Sequence, residues 1–132
     1  MADLICVAPD RVHEFWPHAR ELIHKATRRT NLNHFLDIEY DVLSGDGLLW
    51  LAWSGKIEAA ATTILIETET EKVCVLTACG GEDMKQWLPL FSQIEAYAKQ
   101  EGCARVRIYG RRGWSRVLKG YDVTNYVMER TL

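Results

Sequence analysis

The chain has 132 residues, of which 48% are hydrophobic and 26% charged, and a formal net charge of −2. This composition and length are typical of one globular domain, residues 1–132, with a core of its own. The mild acidity argues against a dedicated nucleic-acid binder. No apolar run approaches the roughly 20 residues of a membrane span, and Met1-Ala2-Asp3 lacks the basic start of a secretory signal. We therefore expect a cytoplasmic protein without a membrane partner.

The first half of the chain predicts a strand, two helices and a three-stranded meander. Leu4–Val7 is a short apolar run that reads as a strand, and apolar residues then recur at helical spacing from Val12 to Ala26. Asn33 is the expected N-cap of a second helix that stops at Gly45. Short connections favour antiparallel pairing of the three strands that follow, which are Leu48–Trp53, Ile57–Glu67 and Lys72–Ala78.

The second half predicts one long helix between two strands, followed by a short helix and a last strand. A right-handed connection through the long helix would make the strand before it and the strand after it parallel. In chain order the predicted elements are a loop at Cys79–Glu82, a helix capped by Asp83 that carries Met84 and Trp87 and ends before Gly102, a strand at Cys103–Tyr109, a short helix at Trp114–Leu118 and a closing strand at Tyr121–Leu132.

This order of elements resembles that of the GNAT superfamily of N-acetyltransferases, over nearly the whole chain. The closing segment supports the likeness, because a short helix leads to Gly120-Tyr121 and a last strand. The resemblance implies an α/β fold with a mixed sheet and acetyl-CoA bound where the two central parallel strands splay apart. The segment Gly110-Arg111-Arg112-Gly113-Trp114 is also similar to small GNAT-like proteins of phages and prophages. That likeness allows a virion-associated location as well as a cytoplasmic one.

The resemblance places the cofactor at the end of the third meander strand and at the loop after it. Glycines there would let backbone N–H groups approach a pyrophosphate at a helix N-terminus. The family pattern Arg/Gln-x-x-Gly-x-Gly/Ala is incomplete, because the Arg or Gln is missing and Glu82 and Asp83 add two carboxylates. An ordinary turn with Asp83 as N-cap explains the segment equally well. The candidate cofactor-binding residues are Leu76, Thr77, Ala78, Cys79, Gly80, Gly81 and Arg112.

Arginines are concentrated in the last third of the chain. Arg111 and Arg112 lie in a predicted loop at the C-terminal end of a strand, which is the edge where open α/β sheets bind ligands. They could hold the phosphates of a CoA or another anion, form a basic patch for nucleic acid or an acidic partner, or be solvated surface.

No residue is marked as catalytic by its spacing. The tyrosine that the family often carries four residues before the glycine corresponds here to Arg116. A cysteine in a loop can be a nucleophile, although a small residue at a strand end is the simpler interpretation of Cys79. The histidines and cysteines lack the spacing of zinc ligands, so no metal is expected. The hydroxyl and carboxylate candidates are Tyr109, Ser115, Tyr121, Tyr126, Glu58, Glu67 and Glu69.

Two functional hypotheses follow from the sequence. The first is an acetyl-CoA-dependent N-acetyltransferase whose acceptor is a small-molecule or protein amine. The second is a non-catalytic GNAT-fold binding module or phage structural module, which is compatible with a homo-oligomer. The incomplete pyrophosphate loop favours the second hypothesis, and the likeness of the whole chain to an enzyme superfamily favours the first.

Overall fold

The structure is a computed structural model that describes residues 2–82, 88–110 and 113–132. Five strands form one sheet in the order β1-β2-β3-β4-β5. The first four strands pair antiparallel, and β4 and β5 pair parallel. The expected meander and the expected parallel pair are therefore confirmed. The strands are β1 Asp3–Cys6, β2 Gly47–Trp53, β3 Ile57–Glu67, β4 Lys72–Gly81 and β5 Arg105–Ile108.

Four α-helices are described, and short 3-10 turns at Pro9–Arg11 and Leu88–Leu90 precede the first and third of them. Gly45 ends the second helix in the left-handed conformation that glycine adopts without strain, with φ of 91°. The N-cap of that helix is His34 rather than Asn33. The predicted Asp83 cap, Met84 and Trp87 lie outside the described residues. The helices are α1 Val12–Thr30, α2 Phe35–Ser44, α3 Phe91–Gln100 and α4 Trp114–Val117.

Helices cover both faces of the sheet because the strands alternate apolar side chains between the faces. In β2, Trp50 and Ala52 pack towards α3, whereas Leu49 and Leu51 pack towards α1 and α2. The helices present matching apolar stripes at helical spacing. The apolar residues of these stripes are Val12, Trp16, Ala19 and Ile23 in α1, Phe35, Ile38 and Val42 in α2, and Phe91, Ile94 and Ala98 in α3, and the polar Thr27 is buried on the same face of α1.

A polar contact ties α1 to α2 at the edge of this packing. One carboxylate oxygen of Glu39, Oε2, accepts hydrogen bonds from Trp16 Nε1 at 2.7 Å and from Arg20 Nε at 2.8 Å. The Trp16 hydrogen bond, with that of Arg20, lowers the pKa of Glu39 below its ordinary value. A lowered pKa in the folded state means that the ionised carboxylate stabilises the fold.

This contact predicts a dependence of stability on pH. The stabilisation from Glu39 is present above the ordinary pKa of a glutamate, about 4.3, and is lost as the pH falls through the lower pKa of the folded state. In denaturant titrations, we expect the native chain to be more stable than Glu39→Gln at pH 7. The difference shrinks at acid pH, and a difference that stayed constant down to pH values below the ordinary pKa would contradict this assignment.

The predicted closing strand at Tyr121–Leu132 is wrong. In the structure this segment has no regular secondary structure, and in the described part of the chain β5 pairs with β4 alone. Val123, Tyr126, Val127 and Met128 remain exposed. Their β-forming tendency depends on a neighbouring strand, and without one it does not fix a strand. None of the helices within the described ranges combines the length and apolarity that a bilayer crossing requires.

Candidate functional site: a cleft between two parallel strands

Strand β4 carries one extra residue at Thr77. In the ladder between β3 and β4, Thr63 pairs with Leu76. The next pair joins Thr62 to Ala78, so Thr77 has no opposite residue. Such a bulge shifts the alternation of side chains by one position. Leu76 therefore packs on the α3 face of the sheet, whereas Ala78 packs on the face of α1 and α2.

Strands β4 and β5 separate beyond this point and open a cleft. Their parallel pairing stops at Leu76 and Ile108, while β4 continues through residues 77–81 paired to β3. The cavity at this opening has a volume of about 50 Å³ and is partly open to solvent. All of the predicted residues from Leu76 to Gly81 line it, whereas Arg112 lies outside the described residues. The other lining residues are Ile108, Tyr109, Gly110, Trp114, Ala26, Arg29 and Thr30.

The expected loop at Cys79–Glu82 is wrong for its first three residues. Cys79, Gly80 and Gly81 continue β4, where they pair with Ala61, Ala60 and Ala59. The strand was predicted to end at Ala78 because glycines usually interrupt strands. Backbone hydrogen bonds to β3 extend the strand through both glycines, and the local sequence does not indicate this pairing.

Both glycines have a packing role. A Cβ atom on Gly80 would lie 2.5 Å from the carbonyl oxygen of Leu22 in α1. A Cβ atom on Gly81 would lie 2.5 Å from the Cβ atom of Ala59 in β3. The missing side chains therefore let α1 rest on β4 and let β3 stay paired to it. This requirement explains the glycines without any ligand.

The last turn of α1 supplies a cation that the sequence analysis did not single out. Arg29 is exposed, lines the cleft, and has no ion-pair partner among the described residues. Thr30 lies beside it at the same helix end. Nothing in the local sequence distinguishes Arg29 from the neighbouring Arg28, because only the packing of α1 on β4 brings Arg29 to the cleft.

The aromatic wall of the cleft comes from α4. The Trp114 ring stacks on Phe91 of α3, with ring centroids 5.8 Å apart and planes inclined by 10°. A Cβ atom on Gly110 would lie 2.9 Å from Trp114 Cδ1. The glycine therefore lets the indole lie close to the backbone after β5. Stacked pairs of this kind contribute about 0.5–1.5 kcal/mol beyond the burial of their surface, so the contact stabilises this side of the cleft.

The chain's similarity to known proteins lies in its fold. The sequence matches no protein-family model and no curated protein. A solved structure of a predicted acetyltransferase with acetyl-CoA from Clostridium acetobutylicum superposes with a TM-score of 0.66 at 11% identity, covering 99% of this chain and 96% of that one. A GCN5-related N-acetyltransferase from Ralstonia eutropha gives 0.67 at 12% identity and 99% coverage of both chains. Aminoglycoside 6'-N-acetyltransferase from Acinetobacter baumannii gives 0.64 at 14% identity, covering 100% of this chain and 98% of that one.

The chain has the GNAT acetyltransferase fold. The expected fold class, an α/β arrangement around a mixed sheet, is confirmed by these superpositions. At such identities the likeness concerns the fold and leaves the activity to be argued from the site.

Among the hydroxyl candidates within this GNAT fold, Tyr109 is the one that lines the cleft. Tyr121 instead donates a hydrogen bond to Glu95 at 2.6 Å, and burial together with this acceptor raises the pKa of its hydroxyl. Tyr126 is exposed in the closing segment, and Arg116 and Ser115 do not line the cleft.

The carboxylate candidates divide between the two ends of the sheet. Glu67 pairs with Lys72 at the start of β4, far along the strand from the cleft. Glu58 lies at the other end, where its backbone carbonyl accepts a hydrogen bond from Glu82 N at 3.3 Å. Its side chain accepts a hydrogen bond from Ser54 at 2.6 Å. Of these candidates, Glu58 is therefore the one near the cleft end of the sheet.

The Cys79 thiol is a poor nucleophile in this setting. Burial raises the pKa of the thiol well above its ordinary value, so it stays protonated at neutral pH. All four cysteines are free, and Cys74 is also buried. Across the described residues, no group of three or more His, Cys, Asp or Glu side chains is arranged to hold a metal ion.

Proposed function

We propose that the chain is an acetyl-CoA-dependent N-acetyltransferase that binds the cofactor in the cleft between β4 and β5. The observation that carries this proposal is the separation of the two strands beyond Leu76 and Ile108. It leaves the 77–81 edge of β4 facing the cleft, with no partner strand there among the described residues. An unpaired strand edge binds extended amide-containing chains by main-chain hydrogen bonds. The pantetheine arm of a CoA is such a chain, since it contains two amide groups.

The charges at the cleft support binding of the phosphates by arginines rather than by the glycines. The close approach of α1 to Gly80 explains that glycine by packing, so it does not point to a diphosphate. Arg29 lines the cleft with its guanidinium uncommitted among the described residues. Guanidinium groups bind phosphates through charge-assisted hydrogen bonds. Arg112 remains the second proposed cation, as the sequence analysis expected.

The proposed reaction is a direct transfer. The acceptor nitrogen, as a neutral amine, attacks the carbonyl carbon of the thioester, a C–N bond forms, and the C–S bond breaks. The nitrogen loses a proton to solvent or to a base, and the departing sulfur gains one. Tyr109 is the hydroxyl of the cleft wall that we assign as proton donor to the sulfur. We propose a primary amine on a small molecule or protein as the acceptor.

Calorimetric titration with acetyl-CoA tests the proposal. We expect saturable binding, and we expect Arg29→Glu to weaken it by about tenfold, because a charge-assisted hydrogen bond to phosphate is replaced by repulsion. Arg28→Glu is the matched control, since Arg28 is adjacent and exposed but does not line the cleft. Equal weakening by both variants would show only a general effect of charge. No binding of acetyl-CoA at millimolar concentration would overturn the proposal.

Release of free thiol from acetyl-CoA in the presence of amines separates the two functional hypotheses. Release that depends on an added amine supports the transferase. Saturable binding with no thiol release from any amine supports the second hypothesis, a non-catalytic GNAT-fold module. The observation in its favour is that Arg116 stands where the resemblance places a tyrosine. A phage structural role and a virion location belong to that second hypothesis.

A further inference from the structure

The loop between α1 and α2 contacts the bulge of β4. Asn33 lies in this loop, and its Nδ2 donates a hydrogen bond to the carbonyl oxygen of Thr77 at 3.1 Å. The two residues are 44 positions apart in the sequence. Asn33 is half-buried and does not line the cleft, whereas Thr77 does. Any effect of Asn33 on the cleft is therefore transmitted through Thr77.

The side chain of Thr77 is held from the opposite direction. Its hydroxyl lies 2.7 Å from the hydroxyl of Thr62 and donates to the Thr62 carbonyl oxygen at 3.1 Å. Thr62 belongs to β3 and is only 1% exposed. The bulged residue is thus fixed at its side chain by β3 and at its carbonyl by the α1–α2 loop.

This double attachment is needed because a bulged residue has no opposite partner in the ladder. An unpaired backbone carbonyl can rotate its peptide plane, and the Asn33 amide holds it in one orientation. The peptide between Thr77 and Ala78 is trans, so the N–H of Ala78 points opposite to that carbonyl. Fixing one end of the peptide therefore fixes the other, in a part of β4 where both residues line the cleft.

We propose that Asn33 is a positioning residue of the cleft, which sets the orientation of the bulged Thr77–Ala78 peptide through its hydrogen bond to the Thr77 carbonyl. The part of the proposal that concerns acetyl-CoA rests on the proposed function. The part that concerns the orientation of the Thr77–Ala78 peptide is a statement about the protein without ligand. The loop of α1 and α2 thereby couples the helical layer to the strand edge on which the ligand would lie.

The test of the free protein is the carbonyl carbon-13 chemical shift of Thr77, read through its correlation with the Ala78 amide. Asn33→Asp keeps the size of the side chain and removes the donor, and Asn33→Ala removes the donor without adding charge. Both variants are expected to move this resonance upfield, as loss of a hydrogen bond to a carbonyl does. Leu32→Ala, in the same loop and partly exposed, is the matched control and leaves the resonance in place. An unchanged Thr77 resonance in both Asn33 variants would overturn the proposal.

The test with ligand uses acetyl-CoA itself on the same set of variants. Both Asn33 variants are expected to weaken binding by up to about tenfold, the effect of one lost hydrogen bond. The melting temperatures of the three variants separate this effect from a general loss of stability. Leu32→Ala is expected to bind acetyl-CoA as the native chain does, including when its melting temperature falls as far as those of the Asn33 variants. A shifted Thr77 resonance with unchanged affinity would overturn the role in binding. If the native chain does not bind acetyl-CoA, the proposed function fails, and the chemical shift alone decides whether Asn33 positions the peptide.

Discussion

Replacing Gly80 by alanine is expected to destabilise the fold by about 3 kcal/mol, at the upper end of what overpacking costs. The added Cβ would lie 2.5 Å from the Leu22 carbonyl oxygen and 3.5 Å from the Ala26 Cβ atom. The first of these neighbours is helix backbone, which cannot turn away as a side chain can. Relief requires α1 to move off β4, and that movement carries Arg29 and Thr30 away from the cleft.

Denaturant titration of Gly80→Ala beside Gly113→Ala checks this expectation. Gly113 is the matched control, because its φ of −59° suits any residue and, chain neighbours aside, no atom of the described residues lies within 4 Å of the position of its Cβ. We expect Gly113→Ala to change the free energy of unfolding by no more than about 0.5 kcal/mol. If the two variants were equally stable, α1 would not rest on β4 in the way described, and the position of Arg29 would lose its basis.

Replacing Phe35 by alanine should cost about 3–5 kcal/mol, the range observed for removing a buried aromatic ring. Phe35 is 7% exposed and lies at the junction of α1 and α2. Its ring stacks on His24 at 4.4 Å and on Trp16 at 6.1 Å between centroids. The Arg20 guanidinium carbon lies 4.7 Å from the same ring centroid. One ring therefore holds three side chains of α1 against α2.

The neighbouring residue supplies the control for this variant. Leu36 is 57% exposed on the same helix, so Leu36→Ala should change stability by no more than about 0.5 kcal/mol. Phe35→Leu keeps most of the apolar volume and loses the ring, so its cost should fall between those of the two alanine variants. Unfolding free energies from urea titrations give all three values. Equal costs for Phe35→Ala and Leu36→Ala would contradict the packing described at this junction.

The Phe35 junction also bears on the cleft. Asn33 lies two residues before Phe35, and Arg29 and Thr30 form the last turn of the helix that Phe35 holds. If this junction loosens, we expect Arg29 to move away from the cleft and Asn33 to lose its hydrogen bond to the bulged Thr77. The helical layer supports the site as well as the core.

The sequence by itself determined the elements whose signals are local. The span Ile57–Glu67 was predicted with the bounds that β3 has, because it is rich in alanine and β-branched residues and has a polar turn on each side. Gly45 and Gly102 were expected at helix ends, and both have positive φ. The parallel pairing of β4 and β5 followed from the helix between them. The order of such elements was sufficient to indicate the GNAT fold.

The resemblance to the GNAT superfamily, rather than a local pattern, pointed to the cleft residues of β4, and it did not reveal their setting. Residues 76–81 were named because the family places its cofactor at the end of this strand and at the segment after it, and all of them line the cleft. The extended conformation of Cys79, Gly80 and Gly81 was missed, because a Gly-Gly pair is typical of a turn unless a partner strand is known. Arg29, Asn33 and Tyr109 come from other parts of the chain, and no periodicity brings them to this strand.

What only the tertiary structure decided is the geometry that depends on contacts between distant residues. The bulge at Thr77 arises from how β4 registers against β3, and Asn33 reaches it from 44 residues away. The closing segment carries strand-forming residues, yet it forms no strand without a partner. Periodicity and capping act within a few residues and can be read from the sequence. The register of β4 against β3, the close approach of α1 to β4 and the opening between β4 and β5 depend on packing between distant parts of the chain. Local sequence patterns were therefore sufficient to predict the fold, whereas the geometry of the site required the tertiary structure.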